Sequence, residues 1–302
     1  MEGVGDMDLQ QLKYFQTVAR LEHMTRAADV LNISQPALSK AISQLEHEVG
    51  APLFERVGRA IRLNRYGALF LERTEPITQI LDEAKQEIRD LVAPNSGTVA
   101  IGFTHSMGTR LVSRAVQAFQ KEYPKTGFEF VQRNSLALVQ DLNKGLCDLC
   151  LIPYLETDIP IDWRELWREE VYVIVPLHHR FAKQDTVRLQ DLAEDSFVTI
   201  KEGNSLRQIQ NHVFEQVGIS PDIVFEGEEF HTVASFVEAG FGVGLLPDLQ
   251  RIDGYQIKRL HVTDVVCERQ IGIATMKGRY IPQVAKQFEA FVSEHLYHFT
   301  QL

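Results

Sequence analysis

The chain has 302 residues, of which 44% are hydrophobic and 24% are charged, and its formal net charge is −10. This length allows two or three domains with a sizeable core, and no apolar run approaches the ~20 residues of a membrane span. The N-terminal segment lacks the apolar centre of a signal peptide, so we expect a cytoplasmic protein.

The acidic charge is not spread evenly along the chain. Residues 1–66 contain eight Lys or Arg and eight Asp or Glu, whereas residues 67–96 have a net charge of −3 and the remainder −7. Residues 56–65 contain four arginines and no acidic residue. A locally basic face on an acidic protein is compatible with binding to nucleic acid.

Two helices are predicted at the start of the chain. Residues 8–22 repeat apolar side chains at helical spacing, and residues 25–31 form a shorter helix with Thr25 as its N-cap. Residues 32–33 then make a tight turn into a third helix. Two helices joined by a short turn, with small residues where they cross, are typical of the helix-turn-helix motif.

The third helix, residues 34–49, reads SQPALSKAISQLEHEV. Ser34 suits an N-cap, and Pro36 is tolerated in a first turn. The predicted buried face has Leu38 and Ile42 beside a stripe of Ala37, Ala41, Leu45 and Val49. The residues predicted to face outward are Ser34, Gln35, Ser39, Lys40 and Ser43. Because this face is polar and has no acidic residue before Glu46, its N-terminal half suits a DNA major groove.

The sequence LFERVGRAIRL, residues 53–63, predicts a small hairpin around Gly58. On such a wing, Arg56, Arg59 and Arg62 would reach DNA phosphates or the minor groove. The alternative interpretation is that these arginines only solvate the hairpin.

A long helix is predicted from Asn64, its N-cap, to about residue 91. Its apolar stripe consists of Ile77, Leu81, Ala84, Ile88 and Leu91. Such a face is too apolar to stand alone in water, and a helix from a second chain is the simplest cover. Pro76 lies inside the helix and is expected to kink it or divide it. Residues 94–97 then form a break.

From residue 98 onward, short strands alternate with helices, which predicts α/β structure. The expected helices cover residues 106–122, 135–144, 204–217, 230–239 and 282–297. The expected strands read TVAIGF, FEFVQ, DLCLIP, VYVIVP, FVTI, DIVFE, VGLLP and RQIGIAT. About 205 residues with this pattern suit two small lobes that face a cleft.

Several predicted helices of this region begin with hydroxyl or amide side chains, which together with backbone N–H groups can bind a carboxylate. Arg207 could add a bidentate partner for an anion. The alternative interpretation is that these residues are ordinary N-caps. The histidines among them have no second ligand at metal-site spacing, so we expect no metal. The candidates are Thr104, His105, Ser106, Asn134, Ser135, Asn204, Ser205, Arg207, His231 and Thr232.

Other classes of function find less support in the sequence. Cys147 and Cys150 form a CxxC, but no second pair completes a zinc site, and we interpret them as buried apolar residues. An enzyme is disfavoured because the chain has no GxSxG, no GxxxxGK and no metal-spaced histidines. The AGFGVG segment precedes a strand and is interpreted as a packing turn. A pure solute-binding protein is disfavoured by the helix-turn-helix segment.

Residues 7–67 resemble the DNA-binding domain of LysR-type transcriptional regulators. The resemblance is carried by LQQLKYFQTVA, by TRAADVLNISQPALSKAISQLEHEVGAPLFER and by the wing G-R-x-I-x-L. GTVAIGF and AGFGVGLLP resemble the effector domain of that family. The order GTVAIGF…FQKEYP is most similar to the glutamate-synthase regulators of Gram-positive bacteria.

The resemblance implies a multi-domain fold. A winged helix-turn-helix covers 7–64, a linker helix covers 65–93, and an α/β effector domain of two periplasmic-binding-protein-like lobes covers 97–302. Lobe I would contain 97–163 and 268–302, and lobe II 164–267. The DNA-contacting residues would be Thr25, Arg26, Ser34, Gln35, Pro36, Ser39, Lys40, Arg56, Arg59 and Arg62.

The resemblance also implies what the protein binds. The partners would be an interrupted palindrome of double-stranded DNA, a small organic acid or amino acid bound between the lobes at the ten cleft candidates, the same chain as a dimer of dimers, and RNA polymerase. No cofactor is expected. Three features depart from the family pattern, namely Asn64 in place of a common Thr, Pro76 in the linker helix, and the extension at residues 1–6.

Overall fold

The computed structural model describes residues 7–57, 60–93, 97–248 and 254–296. The chain divides into two compact units, residues 1–89 and residues 90–302. Across the described ranges, no helix is both long enough and apolar enough to span a membrane.

The first unit is a three-helix core with a hairpin, followed by a long helix, as predicted. Asp8 caps the first helix within a capping box completed by Gln11, and the Ser34 hydroxyl accepts a hydrogen bond from the Ala37 N–H at 3.3 Å. The elements are α1 (Leu9–Leu21), α2 (Met24–Val30), α3 (Gln35–Val49), β1 (Phe54–Val57), β2 (Ala60–Leu63) and α4 (Arg65–Val92).

Two details of the predicted helices are wrong. The N-cap of α2 is His23 rather than Thr25, because the His23 ring accepts a hydrogen bond from the Arg26 N–H. The predicted stripe on α3 is rotated, since Ala37 is exposed while Leu38, Ile42 and Leu45 are buried. The larger side chains define the buried face because they remove more apolar area from water.

Phe15 of α1 is the centre of the first unit's core. Its ring is fully buried and lies 5.5 Å from the ring of Phe54 in β1 and 5.2 Å from that of Phe70 in α4. Tilted and edge-on ring pairs at these distances are favourable beyond the area that they bury. One side chain therefore joins the first helix to the wing and to the long helix.

The long helix α4 is continuous through Pro76, so the proline does not divide it. The Asn64 side chain caps it by accepting hydrogen bonds from the N–H groups of Tyr66 and Gly67 at 2.9 and 3.0 Å, as predicted. Several large apolar side chains of α4 are exposed in the single chain, namely Ile77, Ile80, Ile88 and Leu91.

Among its described residues, the second unit contains all eight predicted strands and all five predicted helices, with two further strands that were not predicted. The missed strands are β7, which has two residues, and β11, whose charged side chains hide its pattern. The helices are α5 (His105–Met107), a π-helical turn (Gly108–Val112), α6 (Ser113–Glu122), α7 (Ser135–Asn143), a 3-10 turn (Leu189–Leu192), α8 (Ser205–Val217), α9 (Phe230–Glu238) and α10 (Gln283–Glu294). The strands are β3 (Gly97–Phe103), β4 (Thr126–Gln132), β5 (Leu149–Pro153), β6 (Ile161–Pro176), β7 (Thr186–Val187), β8 (Ser196–Ile200), β9 (Asp222–Gly227), β10 (Gly244–Pro247), β11 (Ile257–Val262) and β12 (Glu268–Met276).

Strand β6 runs from one large hydrophobic core of this unit to another. The main sheet has the order β4-β3-β5-β12-β6-β11-β7, with β10 also paired to β6, while β8 and β9 form a separate parallel pair. The first part of β6 pairs with β12, and its last part pairs with β10 and β11. One core surrounds Phe119 and the other surrounds Phe197, and we call these parts lobe I and lobe II.

Strands β6 and β12 approach each other closely at Gly272. A Cβ at Gly272 would lie 2.3 Å from the Arg164 carbonyl oxygen, which no real contact allows. The register between β12 and β6 shifts at Ile271 and Gly272. Glycine at this position therefore permits the bulge between β12 and β6.

Asp148, which precedes β5, is a half-buried carboxyl group. Its Oδ2 accepts a hydrogen bond from the Ala100 N–H at 2.7 Å. The pKa of Asp148 is raised from 3.8 to about 6 in spite of this bond, mainly because of burial and to a smaller extent because of the charges of Glu129 and Asp90. The charged form of Asp148 is thus unfavourable in the folded protein.

We expect Asp148→Asn to stabilise the protein at pH 8 by up to about 3 kcal/mol and to have little effect at pH 4. The pKa of Asp148 is higher in the folded protein than in the unfolded chain. Its contribution to the stability is therefore fully present below about pH 4 and is lost as the pH rises through about 6. Asparagine stays neutral and keeps an oxygen that accepts from Ala100. Urea unfolding at both pH values measures the difference, with the exposed Asp162→Asn as control. An equal gain at both pH values would contradict this account.

Candidate DNA-binding surface and effector cavity

The tip of α3 presents a polar surface to solvent. Gln35, Pro36 and Lys40 are exposed, as is Ser34, while Ser39 is half-buried. The side chains of Thr25 and Arg26 on α2 are exposed as well. The apolar side of α3 packs into the core, which fixes the orientation of its polar side. This tip can enter a groove without breaking a contact inside the unit.

Two arginines of the wing, Arg56 and Arg62, lie on opposite faces of the hairpin. Arg56 is paired across the hairpin with Ile61, and Arg62 is paired with Glu55, so the two arginines lie on opposite faces. Arg62 Nε lies 4.0 Å from Glu22 Oε2, yet the Arg62 side chain remains 62% exposed. Such a surface pair is weak and can give way to a phosphate. The prediction for Arg59 lies outside the described residues.

A cavity of about 60 Å³ lies in the second unit between elements of both lobes. It brings together five of the ten predicted cleft residues from distant parts of the sequence. These are Thr104, His105, Ser106, Asn204 and His231. The grouping arises because residues that follow strands and open helices meet at one edge of an α/β lobe.

Polar atoms on the lobe I side of the cavity lie within reach of each other. The hydroxyls of Thr104 and Ser106 are 3.4 Å apart, and Thr104 is almost completely buried. His105 Nδ1 lies 3.1 Å from Gln132 Nε2 and 3.3 Å from Glu229 Oε1. Since Glu229 belongs to the opposite wall, this last contact crosses the cavity.

The remaining predicted cleft residues do not line this cavity. Asn134 caps α7 by accepting from the Ala137 N–H, and Ser135 donates to the Ser205 hydroxyl at 3.2 Å in a buried contact between the lobes. Thr232 is exposed on α9. Of these residues, Asn134 is the ordinary N-cap that the alternative interpretation supposes, while Ser135 and Ser205 join two helices.

The prediction that Arg207 faces a ligand needs correction. Its buried guanidinium turns into lobe II, where it donates to the Thr199 hydroxyl at 2.9 Å, to the Ile200 carbonyl at 3.0 Å and to Glu226. Asn211 accepts a further hydrogen bond from it. Arg207 thus ties α8 to the β8-β9 pair.

The cation on the cavity wall is Arg269, which the sequence analysis missed. Only 1% of Arg269 is exposed, and it donates to Glu169, its partner across the β6-β12 ladder. Its guanidinium carbon lies 5.1 Å from the centre of the Phe230 ring, a cation–π contact. Glu228, Glu229, Phe230 and Pro153 complete the wall and were also missed. In the segment RQIGIAT, Arg269 alternates with Ile271 and Ile273, and this period of two is a sequence signal that it faces inward.

Cys147 and Cys150 are buried as predicted, with 3% and 0% exposure. Burial is the largest cause that raises the pKa of the Cys150 thiol well above its ordinary value, which makes it a poor nucleophile. Within the described ranges, no group of three or more His, Cys, Asp or Glu residues is arranged to hold a metal ion.

Family models match both parts of the chain. Residues 9–68 match the bacterial regulatory helix-turn-helix protein, lysR family, and residues 93–297 match the LysR substrate binding domain.

Two relatives from Bacillus subtilis (strain 168) align along nearly the whole chain. The HTH-type transcriptional regulator YybE is 43% identical over 96% of this chain and 99% of its own, and the transcriptional dual regulator GltC is 36% identical over 95% and 96%. The predicted nearness to the glutamate-synthase regulators of Gram-positive bacteria agrees with the similarity to GltC.

Solved structures agree with the fold. The effector binding domain of QuiR in complex with shikimate covers 68% of this chain and 99% of its own, with a TM-score of 0.64 and 28% identity. Full-length CbnR in complex with its target DNA covers 95% and 99%, with a TM-score of 0.67 and 21% identity. The predicted fold class is confirmed, and the named relatives are regulators rather than enzymes. The chain belongs to the LysR family of bacterial transcriptional regulators.

Proposed function

We propose that the protein regulates transcription by binding an interrupted palindrome in double-stranded DNA, under the control of a small organic acid or amino acid bound between the lobes. The observation that carries the DNA-binding part is the exposed, acid-free tip of α3, held by a buried apolar face. On this proposal, Gln35 and Ser39 read base edges, while Lys40, Arg56 and Arg62 contact phosphates.

The effector part of the proposal rests on the cavity. Buried Arg269 and the hydroxyls of Thr104 and Ser106 are donors suited to a carboxylate. The QuiR domain, similar in fold and 28% identical, is described with bound shikimate, which is itself a small carboxylic acid. A small anion between the lobes would bind one relative arrangement of the lobes better than others, and so shift the population.

The assembly is part of the same proposal. The exposed apolar side chains of α4, such as Ile80, Ile88 and Leu91, fit pairing with α4 of a second copy. Two such dimers would form a tetramer that spans separated half-sites, with RNA polymerase as a further partner, in the bacterial cytoplasm. The domains would be 7–64, 65–93 and 97–302, with lobe I at 97–163 and 268–302, and lobe II at 164–267.

Gln35→Ala and Arg56→Ala separate the two proposed kinds of DNA contact. Arg56→Ala is expected to weaken binding to all duplexes and to reduce the slope of log K against log salt by about 1, because one phosphate contact is lost. Gln35→Ala is expected to cost about 1–3 kcal/mol of discrimination between the palindrome and random DNA, with the slope unchanged. Fluorescence anisotropy at several salt concentrations measures both quantities.

The control for this experiment is Arg188→Ala, which removes an exposed arginine from the other unit and should leave both quantities unchanged. Equal loss of discrimination in the Gln35 and Arg56 variants would contradict the assigned roles. Full retention of DNA binding in a variant that combines both substitutions would contradict the proposed surface.

A further inference from the structure

Two acidic residues near the effector cavity are paired with an arginine or a lysine, whereas a third is not. Arg269 is paired with Glu169, and Lys201 Nζ lies 2.6 Å from Glu228 Oε1. The ion-pair partner of Glu229 within the described ranges is His105, whose ring is charged only if it is protonated. Among the described residues, no lysine or arginine forms an ion pair with Glu229, so its carboxylate can accept a cationic group of a ligand.

The position of Glu229 on its helix makes this charge available to a ligand. Glu229 is the N-cap residue of α9, yet its side chain accepts no hydrogen bond from the first turn of that helix. The carboxylate instead reaches across the cavity to within 3.3 Å of His105 Nδ1, and its side chain is 45% exposed.

Hydrogen-bond donors suited to an anionic group line the same cavity as Glu229. Thr104 and Ser106 flank His105 in sequence, and their hydroxyls line the cavity together with Arg269. A guanidinium has five N–H donors and can serve an internal carboxylate and a ligand together. The cavity thus combines donors for an anionic group with one carboxylate for a cationic group.

We propose that the effector is a zwitterion, a small amino acid whose ammonium group binds Glu229 and whose carboxylate binds Thr104, Ser106 and Arg269. This inference rests on the proposed effector role of the cavity and names the class of ligand. A dicarboxylate or a simple hydroxy acid has no cationic group for Glu229, and Glu229 would repel the second carboxylate of a dicarboxylate. Roughly 10–15 Å³ of such cavity volume holds one water-sized group, so about 60 Å³ favours short side chains.

The experiment compares amino acids with hydroxy acids of the same carbon skeleton. Thermal shift and calorimetry on the full chain use glycine, L-alanine, L-serine and the other proteinogenic amino acids, with glycolate, L-lactate and L-glycerate as partners of the first three. We expect at least one short amino acid to raise the melting temperature and to bind at least about tenfold more tightly than its hydroxy acid.

Variants then test whether the Glu229 carboxylate causes the preference for amino acids over hydroxy acids. Glu229→Gln is expected to weaken the binding of the amino acid by about tenfold or more. The hydroxy acid should bind the variant as tightly as it binds the original protein, or more tightly. Glu215→Gln makes the same charge change at an exposed position of α8 and should alter neither affinity.

The outcomes separate this inference from the function on which it rests. Hydroxy acids that bind as tightly as amino acids, an unchanged preference in Glu229→Gln, or no binding of any amino acid would each overturn the zwitterion. In the first two cases, loss of binding in Thr104→Val would still support the cavity as the effector site. Ligand binding that is unchanged in Thr104→Val and in Glu229→Gln would instead overturn the cavity itself.

Discussion

Replacing Arg269 with methionine is expected to lower the free energy of unfolding of the second unit by about 3–5 kcal/mol. Arg269 is 1% exposed, and the side chain of its partner Glu169 is 10% exposed. Without the arginine, the carboxylate of Glu169 stays buried and loses this ion pair, which is the costly way to break a buried pair. Both tryptophans of the chain, Trp163 and Trp167, lie on β6, so tryptophan fluorescence during urea unfolding reports this transition.

Two controls test whether the loss of stability comes from the buried charge of Glu169. The Arg168–Glu268 pair joins the same two strands at 2.9 Å, but its side chains are 51% and 38% exposed, and Arg168→Met should cost no more than about 1 kcal/mol. Combining Arg269→Met with Glu169→Met should recover most of the loss, because an apolar pair can replace a buried ion pair at little cost. A double variant as unstable as Arg269→Met alone would show that packing, rather than charge, causes the effect.

Arg269 and Arg207 show why the cavity could be only partly predicted. The sequence places hydroxyl and amide residues after strands and before helices, and the meeting of Thr104, Ser106 and Asn204 follows from general α/β topology. The direction of an arginine is a different matter, because it depends on partners far away in the sequence. Arg207 binds Glu226 of a neighbouring strand, while Arg269 is buried by the register of β12 with Glu169, 100 residues earlier.

The DNA-binding half was easier to predict because its signals are local. The Ser34 cap, the turn before it and the Asn64 cap of α4 each involve residues close in sequence, and all three are present. The errors there are also local. Assigning Ala37 to the buried stripe mistook one helical face for its neighbour. The faces that Arg56 and Arg62 occupy became clear only from their partners across the hairpin, Ile61 and Glu55.

Phe15→Ala is expected to destabilise the first unit by about 3–5 kcal/mol and to abolish DNA binding at 37 °C. The substitution leaves a cavity where the fully buried ring meets Phe54 and Phe70, so α1, the wing and α4 lose their shared contact. Since both tryptophans lie in the second unit, the fluorescence transition should stay in place while the far-ultraviolet circular dichroism shows an earlier loss of helix.

Graded variants at this position distinguish a packing effect from a general loss of apolar surface. Phe15→Leu keeps most of the buried volume and should retain DNA binding with a smaller loss of stability. Leu9→Ala removes an apolar side chain that is 43% exposed on the same helix, and its effect should stay within about 0.5 kcal/mol. If Leu9→Ala proved as damaging as Phe15→Ala, the core centred on Phe15 would not be what holds the wing beside α3. The proposal that both elements dock together onto DNA would then lose its structural basis.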